Sequence, residues 1–176
     1  SEAYECGAHP PADISSRHKL IQLGMKPTPL HNNCSGKHAG MLSLAKYLVG
    51  EPKGYINPDH PVQKAIRNLL QEYTGIEEIP MEVDGCSAPT SFFTLDTIAR
   101  LYQILSSGKY YELERAYNAM VSYPYNVAGK GHFDTKFIEA LRGKGVTKGG
   151  GESVRGIALR KRDGKNIGIA LKVLDG

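Results

Sequence analysis

His31-Asn32-Asn33-Cys34-Ser35-Gly36-Lys37-His38 packs polar and reactive residues directly in front of an apolar helical pattern. Met41, Leu44, Ala45 and Leu48 recur at helical spacing after it, with Ser35 as the expected N-cap. Gly50 and Pro52 end that helix. Such a cluster cannot be core filler, because every buried polar group needs a partner. It lies where free N–H groups at a helix start favour negative charge, so Cys34 is expected as a thiolate.

Three chemistries fit those residues. Cys34 is a candidate nucleophile with His31 or His38 as its base. It is equally a candidate metal ligand, because Cys86 lies in a second small-residue corner, Asp84-Gly85-Cys86-Ser87-Ala88-Pro89. Two thiolates brought to one point suit a borderline-soft ion such as zinc. The third reading is a capped helix with an inert cysteine. A phosphate loop fits less well, since no long Gly-rich approach precedes Lys37. Cys6 reads as a small packing residue.

Outward from this stretch the pattern is helical, then stranded. Residues 1–33 read as ordered loop with a short helix near Ser16 to Leu23. His60 or Asp59 caps a helix that opens at Pro61, carries Val62, Ile66, Leu69, Leu70 and Tyr73 as a core stripe, and stops at Gly75. Met81 to Asp84 reads as a short strand leading into the Cys86 corner. Helices are expected over 94–106 and 110–122, and another after Asp134 towards Leu141. Val154 to Arg160 and Ile167 to Val173 read as a hairpin turning at Asp163-Gly164. A lone hairpin cannot form a stable sheet by itself, so an incomplete domain is expected over residues 1–176.

Composition narrows the function classes. The chain has 176 residues, 40% hydrophobic, with 22 Lys and Arg against 18 Asp and Glu, a net charge of +4. The excess is scattered apart from Leu159-Arg160-Lys161-Arg162, and the tyrosines do not interleave with it, so no nucleic-acid partner is expected. No apolar run approaches the roughly 18 residues of a membrane span. Three cysteines are too few for a disulfide framework, which together with the lack of a leader points to the reducing cytoplasm.

The sequence resembles the asparaginase II family, the rhizobial inducible-type (class 3) L-asparaginases. The segments that carry the resemblance are Cys6-Gly7-Ala8-His9-Pro10, His31 through Gly40, His60-Pro61-Val62-Gln63, Asp84 through Pro89 and Lys148-Gly149-Gly150. It implies an α/β fold similar to serine β-lactamases and glutaminases, here with a helical region and a C-terminal β-hairpin. It also implies a homodimer that hydrolyses L-asparagine to aspartate and ammonia, and a Zn2+ ion held by Cys34, Lys37 and Cys86. Asp84 lies beside that metal in the family, and Asp84, His31 and Asn32 are assigned to substrate contact. Lysine ligates only when neutral, which from a reference pKa near 10.4 costs about 4–5 kcal/mol at pH 7.

The family's nucleophile is a Ser-x-x-Lys serine, with a second serine paired to a distant lysine. Both serines are expected upstream of residue 1, which makes the present segment one that is inactive alone. Ser16-Arg17-His18-Lys19 and Ser106-Ser107-Gly108-Lys109 match the spacing by chance. Lys148 matches the distant lysine and is the candidate catalytic residue, set before Gly149-Gly150-Gly151 where small residues let a substrate approach. Two alternatives stand beside the zinc-associated amidohydrolase: a non-catalytic zinc- or asparagine-binding relative, and a thiol amidase using Cys34.

Overall fold

Helix α1 (Ile14–Gln22) begins where the Asp13 carboxylate accepts the Ser16 N–H at 2.8 Å, two residues earlier than the sequence pattern suggested. A single turn at Pro29–His31 then leads into helix α2 (Ser35–Val49). Its N-cap is Cys34 rather than Ser35, and Gly50 ends it in the left-handed conformation that a residue without Cβ adopts freely. Helix α3 (Pro61–Thr74) opens as expected, with the His60 ring accepting the Val62 N–H at 3.1 Å. This is a computed structural model; it describes residues 2–161 and 163–175.

Strands β1 (Met81–Val83) and β2 (Pro89–Ser91) pair antiparallel, Glu82 opposite Thr90, so the Asp84–Ala88 corner is the loop of a hairpin. The chain forms two compact units, and this first one ends at Phe92. Its core holds Cys6, Met41, Ala45, Tyr55, Val62, Cys86 and Ala88, with Cys34 and Ile66 packed against it. The proposed α3 stripe is only partly core: Val62 is fully buried, but Leu69 is 46% exposed.

The second unit starts at Phe93. Helices α4 (Leu95–Leu105), α5 (Tyr111–Ser122), α6 (Pro124–Ala128) and α7 (Phe133–Leu141) precede strands β3 (Gly145–Gly149), β4 (Val154–Arg160) and β5 (Asn166–Lys172). The cap of α7 is His132, with Asp134 inside its first turn. The strands form one antiparallel sheet in the order β3-β4-β5, so the hairpin is not alone: Gly145 to Gly149 pairs with Arg155 to Leu159. Tyr117, Ile138, Val146 and Ala158 form its buried centre. The fold is therefore a mixed α/β arrangement of helices with two small antiparallel sheets.

Among the described residues no helix is long and apolar enough to cross a membrane. In the basic run at the end of β4, Arg160 donates to the Ser106 carbonyl at 2.9 Å and pairs with Glu114, while Arg162 lies outside the described residues.

Candidate functional site

Asn32 sets the entry to the cluster. Its buried amide donates to the Gly7 carbonyl at 2.9 Å and accepts the Cys34 N–H at 2.8 Å, so both ends are spent on backbone partners. These bonds fix Cys34 at the start of α2 with its thiol half-buried. His31 uses Nδ1 to accept the Thr28 N–H at 3.0 Å, which leaves only Nε2 for any further contact. Sequence reasoning assigned both residues to substrate contact; in the fold, their observed bonds brace the loop in front of the helix.

The second wall is the β1–β2 loop. Ser87 N–H donates to the Asp84 carbonyl at 2.8 Å, Asp84 N–H donates to the Ala88 carbonyl at 2.9 Å, and Ser87 adopts φ 70°. That is a tight hairpin loop closed by a left-handed residue. Gly85 N–H holds Asp84 Oδ1 at 2.7 Å and thereby turns Oδ2 towards Lys37 Nζ, at 3.3 Å, and Cys86 Sγ, at 3.6 Å.

The two walls bring their donor atoms together. A Cys34 sulfur, a Cys86 sulfur and an Asp84 carboxylate oxygen all lie within 4.8 Å of one another. Two sulfurs and a carboxylate oxygen form a donor set that suits zinc, so these residues fit the ion, and Lys37 Nζ stands beside the carboxylate at 3.3 Å. Cys6 packs in the same core, but its thiol points to the Pro29 carbonyl at 3.8 Å and lies outside this donor set.

The charges follow from burial and proximity. Burial pulls the Lys37 ammonium down, but the Cys86 thiol, Cys34 and Asp84 outweigh it and hold it above the ordinary lysine value. Burial pushes the Asp84 carboxyl up, yet the Gly85 N–H and Lys37 keep it below the usual carboxylate range. Cys34 corrects the expectation of a helix-start thiolate. Burial pushes its thiol up, Cys86 and Asp84 add to that, and the opposing Lys37 charge does not overcome it.

His38, one helical turn beyond Cys34, is fully buried. Its Nδ1 lies 2.7 Å from the Tyr55 hydroxyl, and burial followed by the Lys37 charge holds the ring below its ordinary value, hence neutral. Among the described residues neither the His31 ring nor the His38 ring bonds the Cys34 thiol; His38 meets Cys34 only through the helix backbone, its N–H donating to the Cys34 carbonyl at 3.0 Å. Tyr55 and Glu5, which complete this network, carried no local sequence signal, because the bond between them spans 50 residues and that from Tyr55 to His38 spans 17.

Lys148 belongs to the second unit and sits inside β3, opposite Gly156, rather than in a loop ahead of a strand. It is exposed, and its Nζ donates to the Gly149 carbonyl at 2.5 Å. The strand end beside it is braced by buried Asp134, which accepts the Gly149 N–H at 3.0 Å and pairs with Arg155. An open cavity of about 420 Å³ follows, lined by Gly149, Gly150, Ser153, Arg155 and Leu171 among others. Of the chance Ser-x-x-Lys matches, Ser106 spends its hydroxyl on the Gln103 carbonyl at 3.0 Å.

No curated protein matches the chain. The model of the L-asparaginase II family, however, matches residues 1–176, which include the Cys34 and Cys86 corners and the Lys148 strand, and the chain belongs to that family.

Proposed function

We propose that the protein is a zinc-associated L-asparagine amidohydrolase of the rhizobial inducible type, acting as a homodimer in the cytoplasm. In this reading water and L-asparagine give L-aspartate and ammonia. The observation that carries it is the meeting of Cys34, Asp84 and Cys86 within 4.8 Å, from two separate elements, in a chain of the L-asparaginase II family. When bound, zinc supplies a fixed positive charge that orients a polar group of the substrate. Cys34 and Cys86 hold it. Lys37 is the third ligand, and Asp84, its partner at 3.3 Å, presents a partly exposed carboxylate to the substrate ammonium. His31 reaches substrate through Nε2, while Asn32 keeps Cys34 in place.

The hydrolytic serine is expected outside residues 1–176, in a domain similar to serine β-lactamases, with Lys148 holding or moving the proton of its partner serine. Exposure at a glycine-lined strand end suits Lys148 to that task. The thiol amidase fits less well, since burial favours the Cys34 thiol and neither neighbouring histidine bonds it.

One observation favours a second ligand set. Asp84 offers an oxygen inside the sulfur cluster and is already anionic, so Cys34, Asp84 and Cys86 hold zinc without deprotonating Lys37. Zinc affinity of Lys37→Met against Asp84→Asn separates the two, the larger loss marking the ligand. The functional reading is tested by ammonia release from asparagine and glutamine, using the longest natural polypeptide in its zinc-loaded form. Turnover that is lost in Lys148→Ala is expected; a folded, zinc-loaded protein that binds asparagine without turnover would establish the non-catalytic relative instead.

A further inference from the structure

We propose that Cys34 and Cys86 form a hydroperoxide-sensitive dithiol whose disulfide closes the metal cluster to an ion. The proposal rests on the sulfur geometry and on the cluster as a metal site, and does not depend on asparagine turnover.

The two sulfurs lie within 4.8 Å of one another, and both cysteines are free. Bonding at about 2.05 Å asks them to close by less than about 3 Å. They come from different elements, the start of α2 and the β1–β2 loop, so their union ties two walls of one site. Their exposure is graded. Cys34 is half-buried, whereas Cys86 is 4% exposed and hydrogen-bonds Asp84 Oδ2 at 3.6 Å. A small oxidant therefore meets Cys34 first, and Cys86 waits behind it with a proton acceptor in contact. Cys6 shares the core, but its thiol is turned to the Pro29 carbonyl.

The oxidant is a hydroperoxide, with hydrogen peroxide as the simplest case. Cys34 gives up its proton as its sulfur attacks one peroxide oxygen; the O–O bond breaks, the proton joins the leaving hydroxide, and sulfenic acid and water result. Cys86 sulfur then displaces the hydroxyl from Cys34, passing its proton by way of Asp84 to the departing hydroxide, which leaves as a second water. Two thiols and one peroxide give one disulfide and two waters; the sulfurs lose two electrons and the peroxide gains them. The product has neither thiolate left to ligate a metal, and only Asp84 and Lys37 remain.

The test uses the full chain, stripped of metal by a chelator, reduced, and then exposed to a small excess of hydrogen peroxide. Peptides are mapped by mass without reduction, and zinc uptake is followed with a chromophoric indicator. A Cys34–Cys86 cross-link is expected in the wild type and in Cys6→Ser. Zinc uptake should fall to background with it and return after dithiothreitol. In Cys86→Ser a sulfenic acid should be trapped at Cys34 by dimedone. A cross-link to Cys6, sulfinic acid at Cys34 beside a free Cys86, or a cross-linked chain with undiminished zinc uptake would each overturn the proposal.

Discussion

Tyr55 shows how single atoms decide this site. Its hydroxyl accepts the Glu5 N–H at 2.8 Å and lies 2.7 Å from His38 Nδ1. If the hydroxyl donates to Nδ1, the ring carries its proton on Nε2, and only that buried N–H lacks a partner. If Nδ1 donated instead, the Tyr55 proton and the Nε2 lone pair would both be stranded. The first tautomer leaves fewer groups unpaired, which places the proton on Nε2. Tyr55→Phe removes the shared oxygen and strands both Glu5 N–H and His38 Nδ1. A loss of about 1–3 kcal/mol is expected in urea unfolding. A change below about 0.5 kcal/mol would show that the hydroxyl is not buried between them. Of this neighbourhood, Cys34 stood out in the dense polar run before an apolar helix and Cys86 in a second small-residue corner, and these two sulfurs do meet, whereas Lys37 entered through the family resemblance. The Tyr55–His38 pair and the two backbone bonds of Asn32 were not, because each joins residues whose proximity only the folded chain creates.

At the scale of elements, β4 and β5 repeat one pattern, Gly156-Ile157-Ala158 and Gly168-Ile169-Ala170, in opposite directions. Gly156 faces Ala170 and Ala158 faces Gly168, so small residues cover one side of the sheet. Helix α4 packs down onto them. A Cβ at Gly168 would stand 1.7 Å from the Ala99 carbonyl oxygen and 2.5 Å from Gln103 N, both helix backbone. At Gly156 it would meet the Tyr102 ring at 1.8 Å, a side chain that can be trimmed. Each alanine substitution should cost about 1–3 kcal/mol, Gly168→Ala the more. Tyr102→Ala should recover part of the Gly156→Ala loss, and Gln103→Ala none of the Gly168→Ala loss, measured as double-mutant cycles in urea. Equal recovery would place α4 elsewhere. Helix ends were readable where Pro61, Gly50 and Gly75 punctuate the chain, and the β4–β5 hairpin where Asp163-Gly164 turns it. Strand β3 was not, because Gly-Val-Thr-Lys-Gly carries weak local preference and is fixed by pairing with β4.

Whole-molecule stability responds to protons and to metal at separate places. Arg160 bonds Glu114, lies 3.8 Å over the Tyr117 ring, and holds the Glu114 carboxyl below its ordinary range. A depressed folded value stabilises the protein above the unfolded value of about 4.3, and that contribution disappears as pH falls through the folded value. Wild type should therefore exceed Glu114→Gln by about 1 kcal/mol near neutral pH and converge with it in acid, below the depressed folded value, by urea unfolding at each pH. A gap that persists in acid would assign the effect to packing. Metal acts through the other unit. An ion that binds only the folded chain adds RT ln(1 + [L]/Kd), about 2.7 kcal/mol when free zinc is 100 times Kd. Its donors join the start of α2 to the 84–88 corner, so amide exchange should slow first in Ser35–Val49 and in residues 81–91. Cys34→Ser and Cys86→Ser should each remove both the stabilisation and the slowing, whereas Cys6→Ser should keep them, because its thiol lies outside the donor set. Zinc that stabilises Cys86→Ser as fully as wild type would mean that the ion is held by other residues.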